Sequence, residues 1–434
     1  MKFQAPKGTR DFYPADVALR NWVIDAWRRV SLRHGFEEYD GPIFELLDLY
    51  RAKSGEGIVG ELFHFTDRGD RELAIRPEMT PTLARMIAAR AQSLPRPIKW
   101  FSVPRLCRAE RPQRGRLREF FQWNADVVGS DDVIADAECI FVAIDFFREV
   151  GLGPDDVVMK INSRSLLSSL LTARGFASGR HEAIFAVLDK RDKMAPDAFA
   201  ERVSDVADNG QEASILLTIG QARGEAGLAS MAEMAADDAQ AEAELARLTE
   251  LLAILEAMGV EPYTTFDMGV VRGLAYYTGA VFEAFSKGEL KRAICGGGRY
   301  DRLLEVVGGP AMSGVGFGTS DVVIIEVLGE LGRVPEAASA PSRVDFFVID
   351  ADPDLFGQVL GLVARLRAGG HHAAFSYRRQ AVGKQLKQAN SLGAARAVIF
   401  GREFSERQAL VVKDLAQRSQ VEVQYDAFLG EHGS

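Results

Sequence analysis

Residues 332–343, Gly-Arg-Val-Pro-Glu-Ala-Ala-Ser-Ala-Pro-Ser-Arg, constrain the fold more than any other stretch. Two prolines among small and charged residues offer too little apolar surface to pack, and read as a linker. The chain is therefore expected to fold as separate bodies, in keeping with 434 residues, too many for one hydrophobic core. After the linker the pattern alternates: strand 344–350, helix 353–368, strand 373–377, helix 381–391, then strands 396–400 and 409–413. This predicts a small α/β domain over 344–434. The His371–His372 pair follows Gly369–Gly370 and is expected in a loop.

Before the linker, residues 1–331 mix both periods. Val17, Leu19, Trp22, Val23, Ile24, Trp27 and Val30 predict an amphipathic helix over 16–35, closed by Gly35. A strand is expected near Glu38–Phe44, broken at Gly41-Pro42. Thr80 and Pro81 read as the N-cap and first residue of a helix running through Ile87. Strands are expected at 98–103 and 120–128, then a helix over 133–150 and a strand at 157–161. Ala, Glu, Leu and Asp dominate 165–260, and about 185–255 reads as a helical insertion, with Ala235–Met258 its strongest segment. Strand character returns at 263–285 and 292–296, and a helix over 320–331 ends the region.

Four segments carry chemistry. Pro104–Arg118 holds six arginines and one glutamate in fifteen residues. Arginine forks match phosphate oxygens, so a strand–basic loop–strand hairpin can hold a triphosphate or an RNA backbone. A solvated basic loop is the plainer alternative. In the second, Val270–Gly279, Arg272 follows an apolar pair and precedes Tyr276 and Tyr277. A buried arginine needs a partner, either an anion or a structural salt bridge. The third, Gly296-Gly297-Gly298, permits close backbone approach to a ligand or tight strand packing, and matches no phosphate-loop fingerprint. The fourth holds Glu78, after Arg76-Pro77, which could bind an ammonium group or simply sit near a helix N-terminus.

The net charge of −9 argues against a general nucleic-acid coat protein, though local basic patches still permit polynucleotide contact. Cys107, Cys139 and Cys295 form no CxxC pair, and neither a disulfide framework nor a structural zinc site is expected. Met1–Asp11 has no signal-peptide pattern and no run is long enough to span a bilayer, so a cytoplasmic protein with no membrane association is expected.

Taken together, these segments resemble the class II aminoacyl-tRNA synthetases, specifically the histidyl-tRNA synthetase family. Lys7-Gly8-Thr9-Arg10-Asp11 looks like its N-terminal signature, and Gly35–Tyr50, with Pro42, like motif 1, the dimer-interface element. Cys107–Gln122 looks like motif 2, and Arg272–Tyr277 like the histidine-specific motif. Gly296–Asp301 and Gly314–Gly318 lead into motif 3.

The resemblance implies an α/β (α+β) fold. A class II catalytic domain built on an antiparallel sheet, with the helical insertion, precedes a small C-terminal anticodon-binding α/β domain. It implies histidine–tRNA ligase activity, ATP as substrate, Mg²⁺ with the ATP, tRNA(His) and L-histidine as partners, and a homodimer. Arg272 and Arg108 would act on the carboxylate and α-phosphate. Glu78, Thr80 and Gln122 would hold the histidine ammonium, Asp126 and Tyr277 the imidazole, and Tyr300 would close the pocket. Glu110 would face adenine, with Phe120 or Phe121 stacked on it. Arg116, Arg118 and Gly316 complete the expected ATP site. Arg114 and Arg116 would meet the tRNA acceptor end, and Arg378, Lys384 and Lys387 the anticodon stem. The chain departs from the family pattern in having Ala275 for aspartate, Asp126 for glutamate, and Val323 where motif 3 places an arginine.

Two other functions fit parts of this pattern. A synthetase-like regulatory subunit of ATP phosphoribosyltransferase, in histidine biosynthesis, shares the catalytic fold but typically lacks a C-terminal domain such as 344–434. A different class II synthetase, or an RNA-binding paralogue, fits poorly with Arg-Gly-Leu-Ala-Tyr-Tyr at 272–277.

Overall fold

The computed structural model describes residues 3–271, 276–290, 292–339 and 344–433. The chain divides into two compact units, Met1–Ala338 and Ser339–Ser434. A one-turn helix, Glu336–Ser339, occupies part of the stretch expected as linker.

The first unit is built on a nine-stranded sheet. Its order is Glu37–Glu38, Ile98–Ser102, Glu119–Val128, Gly314–Ser320, Ala293–Tyr300, Ala280–Ser286, Val157–Ser163 and Thr264–Phe266, with the short Arg105–Cys107 strand pairing beside Glu119–Val128. The two outermost pairings are parallel and the inner ones antiparallel.

Side chains alternate between faces with period two. On Glu119–Val128, Trp123, Ala125 and Val127 enter the main core. There Trp123 stacks on Trp27 at 6.2 Å and meets Phe317 edge-on at 4.9 Å. Its indole N–H donates to Ser31 Oγ at 2.9 Å, so the buried polar atom is satisfied. Helices Pro14–Arg33 and Val133–Glu149 cover this face. Gln122, Asn124 and Asp126 therefore point to the other side.

Several sequence expectations shift. Thr80 is the first helical residue, and buried Met79 occupies the cap position without a side-chain cap bond. The region expected as continuous strand over 263–285 is two strands, Thr264–Phe266 and Ala280–Ser286. The insertion is helical over His181–Leu188, Pro196–Val206, Gly210–Gln221, Gly224–Ala235 and Ala239–Ala257, beginning earlier than expected. A break at 236–238 splits the segment expected to be strongest, because Asp238 caps a new helix by accepting from Ala241 N.

In the second unit the sheet order is Ala373–Phe375, Phe346–Asp350, Arg396–Phe400, Ala409–Asp414 and Ser419–Gln424. Phe346 and Val348 pack on helix Phe356–Ala368, while Phe347 and Ile349 pack towards helix Val382–Ser391. The last strand and the helix Tyr425–His432 have no counterpart in the sequence reading.

Candidate active site

Strand register sets the floor of the site. Asp126 lies opposite Gly316, which lies opposite Gly298; one pleat away, Asn124, Gly318 and Gly296 form a second row ending at Glu283. Neither row has room for larger residues. A Cβ on Gly316 would lie 1.9 Å from Asp126 Oδ1, and one on Gly298 would meet the Tyr277 ring at 2.7 Å. Bare backbone thus leaves a cleft above the sheet.

A pocket of ≈ 140 Å³ at one end gathers Glu78, Thr80, Gln122, Asp126, Tyr277 and Tyr300, the whole set expected to bind histidine. Gly316, expected at ATP, lies here beside Asp126 and does not line the neighbouring arginine-rich cavity of ≈ 310 Å³. Tyr300 donates its hydroxyl to Asp126 Oδ1 at 2.7 Å. Burial pushes the Asp126 carboxyl up to about 7, opposed by the Tyr300 hydrogen bond and the Lys53 charge. Burial and the Asp126 charge raise the Tyr300 phenol well above its ordinary value.

Lys53 was not anticipated. Its side chain is 1% exposed, ion-paired to Glu78 Oε2 at 2.5 Å and set over the Tyr276 ring at 3.9 Å. Nothing in the sequence around it marks it, because both partners are distant in the chain.

Next to this pocket lies a cavity of ≈ 310 Å³ lined by Arg108, Arg116, Phe120, Gln122, Glu283, Arg292 and glycines 115, 296 and 318. A third, of ≈ 410 Å³, shares Arg108, Arg116 and Glu283, and adds Glu110 with Asp189 and Lys193 from the insertion. Arg108 lines all three. Its Nε donates to the Pro77 carbonyl at 3.0 Å and its guanidinium lies 5.2 Å from the Phe120 ring centre. Among the described residues the other guanidinium N–H groups donate to no protein acceptor, while the backbone N–H donates to the Arg118 carbonyl. Burial lowers its pKa below the ordinary value, partly countered by Glu78 and Glu110.

The remaining expected residues separate. Phe121 sits on the opposite face from Phe120 because consecutive strand residues alternate. It packs against Phe12 and lies between Arg20 and Arg105, so it is no stacking wall for this cleft. Arg118 lines none of the three cavities; it braces the basic loop, donating Nε to the Glu110 carbonyl and its backbone N–H to Gly8. Arg114 pairs with Glu326 and Glu330. Arg116 holds Glu110 at 2.5 Å, and this pair faces the third cavity. Val322 and Val323 line the ≈ 310 Å³ cavity without a charge, while Asp321 beside them accepts from Arg10 and from Phe121 N. Arg272 and Ala275 lie outside the described residues. In the second unit Arg378, Lys384 and Lys387 are exposed, and Tyr377, which precedes Arg378, is 85% exposed.

Comparison with known proteins identifies the family. The family model described as histidyl-tRNA synthetase matches residues 8–320, and one described as an anticodon binding domain matches 345–431. The histidine–tRNA ligase of Opitutus terrae is 39% identical, covering 97% of this chain and 96% of its own length. The chloroplastic/mitochondrial histidine–tRNA ligase of Arabidopsis thaliana is 36% identical, covering 96% of this chain and 84% of its own. The crystal structure of histidyl-tRNA synthetase from Nostoc superposes with a TM-score of 0.83 at 24% identity, over 98% of both chains. That likeness concerns the fold.

Proposed function

This chain belongs to the histidyl-tRNA synthetase family and joins histidine to tRNA with ATP, and from that premise we infer how its cleft divides the work. The observation that carries the reading is Arg108, whose uncommitted guanidinium stands where the Asp126 pocket meets the arginine-lined cavity. The small pocket takes histidine and the ≈ 310 Å³ cavity beside it takes ATP. The histidine carboxylate then attacks the α-phosphate beside Arg108, pyrophosphate leaves, and a terminal ribose hydroxyl of the tRNA attacks the mixed anhydride. Such transfer depends on positioning and fixed charge, which arginine supplies without titrating near neutral pH. Arg272 is assigned the same carboxylate and phosphate on the strength of the family pattern.

Glu78 meets the substrate ammonium in competition with Lys53. Because Tyr300 already holds Asp126 Oδ1, the second oxygen of Asp126 accepts from one imidazole nitrogen and Tyr277 serves the other. An amino acid lacking these nitrogens would leave buried polar groups unpaired, at roughly 1.5–3 kcal/mol for each charged bond. Phe120 supplies the stacking wall for adenine. Mg²⁺ is typically held by one or two carboxylates together with substrate phosphates, and Glu283 offers such a carboxylate to this cavity. Bound there, the ion would neutralise phosphate charge.

Ile43, Phe44, Leu46, Phe63 and Phe65 are exposed on and beside the small sheet of Phe44–Leu46, His64–Thr66 and Glu72–Ile75. This apolar surface, of which Ile43, Phe44 and Leu46 fall in the segment resembling motif 1, supports a homodimer. Arg378, Lys384 and Lys387 are assigned to the tRNA backbone. Among the described residues no helix is long and apolar enough to cross a membrane, and we place the enzyme in the cytoplasm.

The test is exchange of radiolabelled pyrophosphate into ATP by the purified chain. Exchange that requires histidine is expected. A folded protein without histidine-dependent exchange would refute the division of the cleft and point to the regulatory alternative.

A further inference from the structure

The ≈ 310 Å³ cavity assigned to ATP holds a charged side chain with no role in the scheme above. This is Arg292, the residue immediately before strand Ala293–Tyr300. Arg292 lines this cavity with Arg108 and Arg116, and lines neither of the other two. Its NH1 donates to the Arg114 carbonyl at 3.2 Å. Its stem lies close over Gly115, whose φ of +70° and lack of a Cβ let the basic loop turn beneath it. Val322 and Val323, from the first turn of helix Asp321–Glu330, line the same cavity and offer no charge.

Among the described residues, no carboxylate stands within ion-pairing distance of Arg292. Burial and the charges of Arg116 and Arg108 lower its pKa below the ordinary value, against support from Glu110 and Glu326. Arg116 is already paired with Glu110, which leaves Arg108 and Arg292 as two guanidinium groups without a carboxylate partner among the described residues around one partly dehydrated space, and their like charges repel. A ligand with several negative charges removes that repulsion; a singly charged one does so only in part.

We propose that Arg292 binds the β- and γ-phosphates of ATP, the portion that leaves as pyrophosphate. The inference rests on the reading of the cleft given above. Arg108 lines both the histidine pocket and this cavity and therefore marks the α-phosphate, whereas Arg292 lines this cavity and not the histidine pocket. When the carboxylate oxygen bonds to the α-phosphorus, the α–β bridging P–O bond breaks. Its electron pair departs on pyrophosphate, and Arg292 neutralises the charge gathering there. Arg292 is thus the arginine that serves the distal phosphates in a chain with valine at 323.

Arg292→Ala and Arg292→Lys in the full chain test this. Histidine-dependent pyrophosphate exchange is measured alongside calorimetric binding of ATP, AMP and inorganic pyrophosphate, with melting curves to verify folding. In Arg292→Ala the constants for ATP and pyrophosphate should weaken by about tenfold or more, the loss of one charged hydrogen bond. AMP binding and the KM for histidine should hold, and lysine should restore part of the loss. If AMP weakens as much as ATP, Arg292 serves the nucleoside and the inference is wrong. Unchanged ATP and pyrophosphate constants would also overturn it. A wild-type chain without exchange would sink the reading of the cleft instead, and the ATP-against-AMP binding difference would still decide the role of Arg292.

Discussion

The two faces of the central sheet each hold an arginine drawn out of bulk solvent, Arg299 buried and Arg108 half-buried, and the two are handled in opposite ways. On the core face, Arg299 is 4% exposed and fully engaged. It forks onto Asp136 at 2.7 Å and donates to the carbonyls of Ser130 and Asp132. On the cleft face, Arg108 has one carbonyl and one aromatic ring, and leaves the rest of its donors toward a cavity. Burial acts on both groups. Only the first has its charge matched by the protein, so the first holds the fold together and the second waits for an anion.

The largest test of this contrast is Arg299→Ala. Asp136 would be left buried without a partner, and burial already raises its carboxyl against the pull of Arg299. Breaking such a pair costs about 3–5 kcal/mol. Chemical denaturation should show that loss, and a change below about 1 kcal/mol would mean the pair is not a structural clasp. Arg108→Ala is the counterpart. Removing one preorganised charge donor from a reacting centre typically lowers the rate about 10²–10³-fold. Single-turnover adenylate formation should fall by that factor while the denaturation midpoint hardly moves. Equal damage to stability and rate would erase the distinction between the faces.

The same division explains what the sequence could and could not reveal. Segments that are locally rich, such as Pro104–Arg118 and Gly296–Asp301, announce themselves through composition, and the family pattern orders them. The six residues expected at histidine do share one pocket. What sequence hid was direction. Phe120 and Phe121 are equal as letters, and only the phase of the pleat sends one to the cleft and the other to Phe12 and Arg20. The arginines of the loop likewise look interchangeable, yet the Arg118 side chain braces the loop at the Glu110 carbonyl and Arg114 is tied to Glu326. Lys53 and Arg292 were missed because neither is unusual in its own stretch; each matters through contacts made across the fold.

A finer probe of the cleft face is the titration of Asp126, because a group that reads substrate should report through substrate affinity. Its carboxyl is raised from 3.8 to about 7, chiefly by burial. The ionised form accepts the imidazole N–H on its free oxygen, and protonation below about pH 7 turns that oxygen into a donor. The KM for histidine should therefore rise about tenfold as pH falls from 8 to 6, the span of one group titrating near 7. The substrate imidazole takes up its own proton near 6.5, so Asp126→Asn, which keeps that ionisation and removes the protein's, is the needed control. The sign for stability is opposite. A carboxyl with a raised folded-state pKa favours the fold below its unfolded value and loses that contribution as pH climbs through about 7. Asp126→Asn should then gain in melting temperature relative to wild type between pH 6 and 8, while its KM loses the steeper part of the slope. If the two proteins keep parallel KM profiles, Asp126 does not touch the imidazole, and this pocket is a packed extension of the core face after all.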